Sequence, residues 1–138
     1  MKRFEADTLE KYVSLLNNYD FIILHVSASW CKPCAAIKDE LYDFIENYEQ
    51  SEIEEKIVKE EKIVKKENEY IFLKLDFDVI DEDSSFEGYL LIKKIPYFAC
   101  IQYNKIVNDH QSSNIEEIKN FIHLNIKQTK DFSYQEDF

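Results

Sequence analysis

An apolar run at residues 21–26 leads into two cysteines, Cys31 and Cys34, and a predicted helix over residues 35–48 follows them. The run does not alternate between apolar and polar residues, which is typical of a strand covered on both faces. Residues three apart on a helix lie on one face, and their Cα atoms are roughly 5–6 Å apart, within the range that a disulfide accepts. The two thiols can therefore form and break a disulfide with little movement of the backbone.

The neighbours of the two cysteines favour a reactive thiolate at Cys31. The start of a helix has N–H groups without helical partners and the positive end of the helix dipole, so negative charge is stabilised there. Because the thiolate is the nucleophile, we expect Cys31 to attack and Cys34, one turn inward and more buried, to resolve. The cation of Lys32 supports the thiolate and makes the disulfide easier to reduce. Pro33 suits the first helical turn, and the ring of Trp30 covers one side of the site.

The Cys-x-x-Cys spacing is also compatible with half of a zinc site. A structural zinc ion needs two further ligands at a similar spacing. The other candidates stand singly along the chain: Cys100, His25, His110 and His123. We therefore expect no metal and interpret the pair as an exchanging dithiol, with a redox-inert pair as the remaining alternative.

Composition and net charge limit the classes of binding partner and the cellular compartment that we expect. The 138 residues are enough for one domain with a sizeable core, and the formal net charge of −11 disfavours nucleic acid and anionic membrane surfaces. Three cysteines, two of them in the motif, do not make the framework of a disulfide-stapled secreted domain. No apolar run approaches ~18 residues, and no apolar signal core follows the basic start of the chain. We expect a cytoplasmic protein without a membrane partner, unless a leader has been removed.

Periodicity predicts the element order β-α-β-α-β-α-β-β-α, with a first strand at residues 2–4. Asp7 and Thr8 are candidate caps of the first helix, and Asn114 of the last. The other predictions are a strand at 71–77, an acidic loop at 78–83, a helix at 84–91, a strand at 97–103, a turn at 104–105, a strand at 106–109 and a helix with an apolar stripe from 115 to 126. This order implies an α/β fold with a mixed sheet and helices on both faces.

Residues 49–69 differ from the rest of the chain, since 13 of these 21 residues are charged. We predict a charged helical insertion within a domain that spans residues 1–126, followed by a frayed polar tail at 127–138. Charge runs are usually solvated faces, so a passive insertion is the simpler interpretation. An apolar stripe of Ile53, Ile57 and Val64 leaves a partner-binding arm as the alternative.

Three segments together resemble the thioredoxin family: Trp30-Cys31-Lys32-Pro33-Cys34 after a buried strand, Ile95-Pro96 before a later strand, and Lys74-Leu75-Asp76-Phe77-Asp78. The resemblance covers roughly residues 2–126 apart from the insertion. It implies the thioredoxin fold, a cis Pro96 that faces the cysteines, and a lysine, Lys74, near the active site. It also implies that the backbone of Ile95 pairs with bound polypeptide as an added strand. An ordinary edge or turn proline is the alternative for Pro96.

The chain departs from the thioredoxin pattern at several positions. His25 stands where thioredoxins usually bury an aspartate that assists proton movement at the resolving cysteine. His25 is therefore either a general base for Cys34 or a neutral core histidine hydrogen-bonded to backbone. Ser27 replaces an aromatic residue, which should loosen packing around Trp30. Cys100 lies in the middle of a predicted strand, where we expect a buried small residue, with a regulatory thiol as the alternative.

The sequence favours a thiol–disulfide oxidoreductase that reduces protein disulfides through Cys31 and Cys34. The chain has no Gly-rich nucleotide loop, so we expect no cofactor besides the redox-active disulfide. A monomer recycled by an external thioredoxin reductase or a glutathione-type reductant is the corresponding prediction. A more oxidising oxidase or isomerase is one alternative. A redox-gated protein-binding module, with the insertion as its arm, is the other.

Overall fold

The computed structural model describes residues 1–50, 69–82, 92 and 94–135 of the chain. Nine elements lie in these ranges: β1 (Arg3–Ala6), α1 (Leu9–Asn18), β2 (Phe21–Ser27), α2 (Lys32–Asn47), β3 (Ile71–Asp76), α3 (Phe77–Glu82), β4 (Tyr97–Gln102), β5 (Lys105–Gln111) and α4 (Ile115–Gln135). The predicted insertion helix and the predicted helix at 84–91 fall almost entirely outside the described residues. No helix in the described ranges is long and apolar enough to cross a membrane.

The strands form one mixed five-stranded sheet in the order β1-β3-β2-β4-β5. Strands β1 and β2 both pair in parallel with β3, while β4 runs antiparallel to β2 and to β5. All seven residues of β2 are buried, because this strand is central and covered on both faces. The predicted mixed sheet is confirmed.

Helices cover the sheet on both faces, as predicted. One face contributes Leu24, Leu73 and Ala99 to a core that packs against α1 through Tyr12 and Leu15. The other face contributes a second apolar core shared with α2 and α4, which is built from residues such as Ile23, Phe72, Phe98, Leu41 and Ile122. Alternate residues of β2 therefore enter different cores, and the carboxyl end of β2 leads from between them into the motif.

Two predicted helix starts have the expected chemistry. Thr8 is the N-cap of α1, and its side-chain oxygen accepts the backbone N–H of Lys11 at 3.1 Å. Asn114 precedes α4, and its Oδ1 accepts the N–H groups of Glu116 and Glu117 at 2.9 and 3.1 Å.

The acidic loop predicted at residues 78–83 is wrong for residues 78–82, because α3 occupies Phe77–Glu82, and residue 83 lies outside the described residues. The strand also ends one residue earlier than predicted, at Asp76. The carboxylate of Asp76 accepts the backbone N–H of Asp78 at 2.8 Å, which satisfies one of the first unpaired donors of the helix. A local carboxylate therefore starts a helix where charge density alone indicates a loop.

The hairpin turn lies one residue earlier than predicted. Tyr103 and Asn104 form it with φ angles of 51° and 68°, and β5 then begins at Lys105 and continues to Gln111. Two successive positive φ angles match the right-handed twist of the flanking strands, and asparagine tolerates this region well. The exposed outer strand is longer than predicted because its backbone pairing with β4 continues through the polar residues His110 and Gln111.

The predicted frayed tail is wrong up to residue 135, because α4 continues through Gln135. Thr129 is buried, and its hydroxyl lies in hydrogen-bond contact with Tyr70 Oη and donates to the carbonyl of Asn125. The buried side of the helix thus continues through a polar residue, which the apolar stripe that ends at Ile126 does not reveal. Residues 136–138 lie outside the described part of the chain.

Candidate active site

Cys31 and Cys34 form a disulfide at the start of α2, with their Cα atoms 5.3 Å apart. Cys31 is the N-cap of this helix, and its sulfur accepts the backbone N–H of Cys34 at 3.2 Å. The carbonyl of Cys31 accepts the N–H of Ala35 at 3.1 Å, which is the first helical hydrogen bond. Helix α2 therefore begins at Lys32, earlier than the predicted residue 35, and includes the second cysteine.

The helix start stabilises a thiolate at Cys31 once the disulfide opens. A backbone N–H already points at this sulfur, and the positive end of the helix dipole adds to its effect. Pro33 lies in the first turn, where an N–H has no helical partner, and Lys32 beside it is exposed. The arrangement is chemically suited to a sulfur that alternates between thiolate and disulfide.

Both cysteines are equally buried, with 5% of each residue exposed. The expectation that Cys34 is the more buried of the two is therefore wrong for the oxidised form. Ala28 shares a small apolar cluster with the cysteines, and Phe77 and Ile95 pack against it from distant parts of the chain. These neighbours cover the first cysteine as well as the second.

Trp30 lies at the rim of the site with 59% of its surface exposed. Its indole Nε1 donates a hydrogen bond to Asp78 Oδ1 at 2.8 Å, and its ring meets Phe77 edge-on with centroids 6.2 Å apart. Sequence reasoning missed Asp78 as a partner, although the acidic stretch after the third strand was a signal. Helix α3 thus orients the tryptophan beside the disulfide.

The Ile95–Pro96 peptide bond is cis, as the resemblance implies. Pro96 is buried directly before β4, and Ile95 packs against the cluster that contains both cysteines. The fold therefore places Ile95, which is more than 60 positions from the motif, against the cluster that contains the disulfide. Strand β4 also pairs with β2, the strand that leads into the motif, which explains why the two segments meet.

Known structures share this architecture, whereas sequence comparison finds little. No protein-family model matches the chain, and no curated protein is significantly similar to it. Thioredoxin from Schistosoma mansoni superposes with a TM-score of 0.64 at 22% identity, over 88% of this chain and 94% of that one. Thioredoxin from Plasmodium falciparum gives 0.58 at 20% identity, over 89% and 97%. Thioredoxin NaTrxh from Nicotiana alata gives 0.62 at 15% identity, over 88% and 90%.

The chain has the thioredoxin fold. Within that fold the disulfide lies at the motif position on which the resemblance was based, so the predicted likeness to thioredoxins is confirmed at the level of structure. Identities of 22% and below carry the fold alone. The chemistry of this thioredoxin-fold protein therefore has to be argued from its own residues.

His25 lies in the core on the face of the sheet that α2 covers. The residue is 3% exposed, and its ring stacks on Phe98 with centroids 4.4 Å apart. The pKa of His25 is lowered to about 3, mainly because the ring is buried. A hydrogen bond with the backbone of Tyr97 raises this pKa in part, and the nearby charge of Lys74 lowers it. Among the described groups, Nδ1 of this ring has no hydrogen-bond partner. The geometry favours a neutral core histidine, and a role in proton transfer stays a prediction.

Lys74 is the strand neighbour of His25, since the two residues are paired in the register of β2 and β3. Its side chain is half-buried, and Nζ lies 4.0 Å from Glu5 Oε1 on β1. Glu5 was not predicted as part of the site because it lies on a separate strand that only the sheet order brings alongside. The carboxylate next to Lys74 thus comes from β1, while an imidazole occupies position 25 on β2.

Cys100 is the cysteine that lies outside the disulfide. Cys100 is fully buried, its sulfur lies 3.3 Å from Tyr70 Oη, and burial raises the pKa of its thiol. Such a thiol is a poor nucleophile at neutral pH, which fits a buried small residue.

In the ranges that the structure describes, no cluster of three or more histidine, cysteine or acidic residues could hold a metal ion.

Proposed function

We propose that this chain is a thiol–disulfide oxidoreductase that reduces protein disulfides. The observation that carries the proposal is the Cys31–Cys34 disulfide at the N-terminus of α2, where a backbone N–H contacts the first sulfur. The exposed ring of Trp30 and the side chain of Ile95, directly before β4, border this disulfide, and a polypeptide would bind at this border. The thioredoxin fold supports the same proposal by analogy.

The reduced enzyme would act in two steps. The thiolate of Cys31 attacks one sulfur of the substrate disulfide, so that a mixed disulfide forms and one substrate thiolate leaves and takes up a proton. The sulfur of Cys34, after losing its proton, attacks Cys31 Sγ, closes the 31–34 disulfide and releases the second substrate thiol. Two electrons pass to the substrate, and two protons end on its thiols.

Substrate binding would use the two borders of the disulfide. We propose that Trp30 contributes apolar contact and that the backbone of Ile95 pairs with an extended substrate segment, in the manner of strand addition. Pro96 donates no N–H, so the pairing would use the carbonyl and N–H groups of its neighbours. Lys32 and Pro33 would set the reactivity of the first thiolate.

The recycling partner and the compartment are further parts of the proposal. An external thioredoxin reductase or a glutathione-type reductant would return two electrons to the 31–34 disulfide. We propose a reducing compartment such as the cytoplasm, because Cys100 is a free buried thiol and the only disulfide among the three cysteines is the exchanging one. A monomer is sufficient for this mechanism.

Insulin reduction with dithiothreitol as electron donor tests the proposal. We expect turnover by the wild-type protein and its loss in Cys31→Ser and in Cys34→Ser. Cys100→Ala is the matched control, since it removes a buried cysteine far along β4 from the motif and should keep turnover. A folded wild-type protein that does not accelerate insulin reduction above the dithiothreitol background would contradict the reductase proposal.

A further inference from the structure

We propose that Lys32 and Lys94 select disulfides whose flanking residues are acidic. This inference rests on the proposed reductase function and adds a substrate class to it. Both lysines are exposed. Lys32 lies between the two cysteines in α2, and Lys94 precedes Ile95, which packs against them.

The first border is the start of α2 together with the turn before it. Residues 29–36 contain one charged side chain, Lys32, in a chain in which 33% of the residues are charged. The other exposed residues of this segment are small or apolar: Ser29, Trp30, Pro33, Ala35 and Ala36. A polypeptide that docks here therefore meets a largely uncharged surface on which one ammonium group stands out.

The second border is the segment that leads into β4. Ile95 packs against the cluster of Ala28, Cys31 and Cys34, so the residue directly before it is held close to the disulfide. That residue is Lys94, which is exposed. A substrate strand that pairs beside Ile95 would place its own side chains within reach of this second ammonium group.

Neither lysine is neutralised by the residues that the structure describes, since the ion pairs there join other groups. Two carboxylates lie at the junction of β3 and α3, Asp76 and Asp78, and both accept hydrogen bonds. Asp78 accepts the indole N–H of Trp30, and Asp76 accepts the backbone N–H of Asp78. Among the residues that the structure describes, the ammonium groups of Lys32 and Lys94 are thus the charged donors beside the disulfide that can meet a substrate carboxylate.

The net charge of −11 acts against acidic partners at long range. Salt screens that repulsion, because the Debye length is about 8 Å at physiological ionic strength. Contacts made at the site itself are screened less, and two exposed ion pairs together correspond to roughly a three- to tenfold preference in kcat/KM. Local selection by the lysines should therefore outweigh the overall field at ~0.15 M salt.

The test compares two peptides that contain the same disulfide, one flanked by glutamates and one by lysines. Each rate is divided by the rate of the same peptide with dithiothreitol alone, which removes the effect of the flanking charges on the reactivity of the cystine. The ratio of the two normalised kcat/KM values also cancels any change in the reactivity of Cys31. We expect a ratio of roughly three to ten in favour of the acidic peptide.

Lys94→Glu should lower that ratio by at least threefold, and Lys94→Gln should give an intermediate value. Lys105→Glu is the matched control. This lysine is exposed and begins β5 opposite Gln102, about 17 Å along β4 from the site by strand geometry, so its charge should leave the ratio unchanged.

Each outcome decides a different question. A wild-type ratio near one, or a ratio that Lys94→Glu does not change, overturns the substrate preference and leaves the reductase function intact. Failure of the wild-type protein to reduce either peptide overturns the reductase function itself. If Lys94→Glu does not fold, the wild-type ratio and the Lys94→Gln variant still decide the question.

Discussion

Trp30 Nε1 donates a 2.8 Å hydrogen bond to Asp78 Oδ1 across 48 positions of sequence. This contact joins the residue before the first cysteine to helix α3. It fixes the orientation of the exposed indole ring beside the disulfide, where Phe77 contacts the ring edge-on. The apolar border of the site is therefore organised by a polar contact.

Replacing Asp78 should loosen Trp30. Asp78→Ala removes the acceptor and should cost about 0.5–1.5 kcal/mol of the free energy of unfolding, while Asp78→Asn keeps an acceptor oxygen and serves as the control. The chain has a single tryptophan, so fluorescence anisotropy reports this ring alone. We expect lower anisotropy in Asp78→Ala than in wild type or Asp78→Asn, and equal anisotropy in all three would mean that the contact does not hold the ring.

His25 should make the stability of the protein depend on pH in a defined direction. Its pKa is about 3 in the folded protein and ~6.5 when exposed, so the unfolded chain binds the proton first as the pH falls. The contribution of the neutral ring is therefore fully present above pH 6.5 and is lost as the pH falls from there toward 3. The expected slope is about 1.4 kcal/mol per pH unit.

Urea unfolding of wild type and His25→Leu at pH 7 and pH 5 measures this effect. Between these two values the wild-type protein should lose about 2 kcal/mol more than the variant, since every other titrating group is common to both. The same pH dependence in wild type and His25→Leu would show that His25 is not the group responsible.

Lys32 should raise the reduction potential of the 31–34 disulfide. Its cation lies next to Cys31 in sequence and stabilises the thiolate, which belongs to the reduced form. Lys32→Ala should therefore make the protein more reducing, by ~10 mV for one exposed charge. Lys38→Ala on the same helix is the control, and equilibration with a glutathione redox buffer gives the potentials. An unchanged or higher potential in Lys32→Ala would contradict the electrostatic role.

Thr129 should contribute to stability although it lies beyond the apolar stripe of the last helix. Its hydroxyl contacts Tyr70 Oη and accepts from Gln102 Nε2 at 3.0 Å. Thr129→Val removes one hydrogen bond from each of these groups, which still bond to each other, and should cost about 0.5–1.5 kcal/mol in denaturant unfolding, whereas Thr129→Ser keeps the hydroxyl. Equal stability of the two variants would indicate that the helix beyond Ile126 does not pack as described.

Sequence patterns predicted the elements whose signal is apolar and local. The unbroken run of β2, the stripe of α2 and the Cys-x-x-Cys spacing each report one strand or one helix face, and the sheet and disulfide follow from them. Helix α3 was not predicted because Asp76 adds to a run of acidic residues that is typical of a loop. In the structure its side chain accepts a backbone N–H at the start of the helix. The last turns of α4 were missed because a threonine fills the buried position there.

The parts of the site that sequence could not predict depend on contacts between distant segments. Glu5 meets Lys74 only because β1 and β3 are neighbours in the sheet, and Asp78 meets Trp30 only because α3 folds back toward the motif. The equal burial of the two cysteines likewise depends on Phe77 and Ile95. The spacing of residues along one helix predicts which of them lie on the same face. It does not predict which residues from other segments cover that face.

Trapping of the mixed disulfide is the most direct test of the assigned chemistry. Cys34→Ser, reduced and mixed with a disulfide-containing protein substrate, should accumulate a covalent complex, and peptide mapping by mass spectrometry should place the linkage on Cys31. The complex should be absent in Cys31→Ser. A linkage on Cys100, or equal trapping in both variants, would contradict Cys31 as the attacking thiolate at the start of α2.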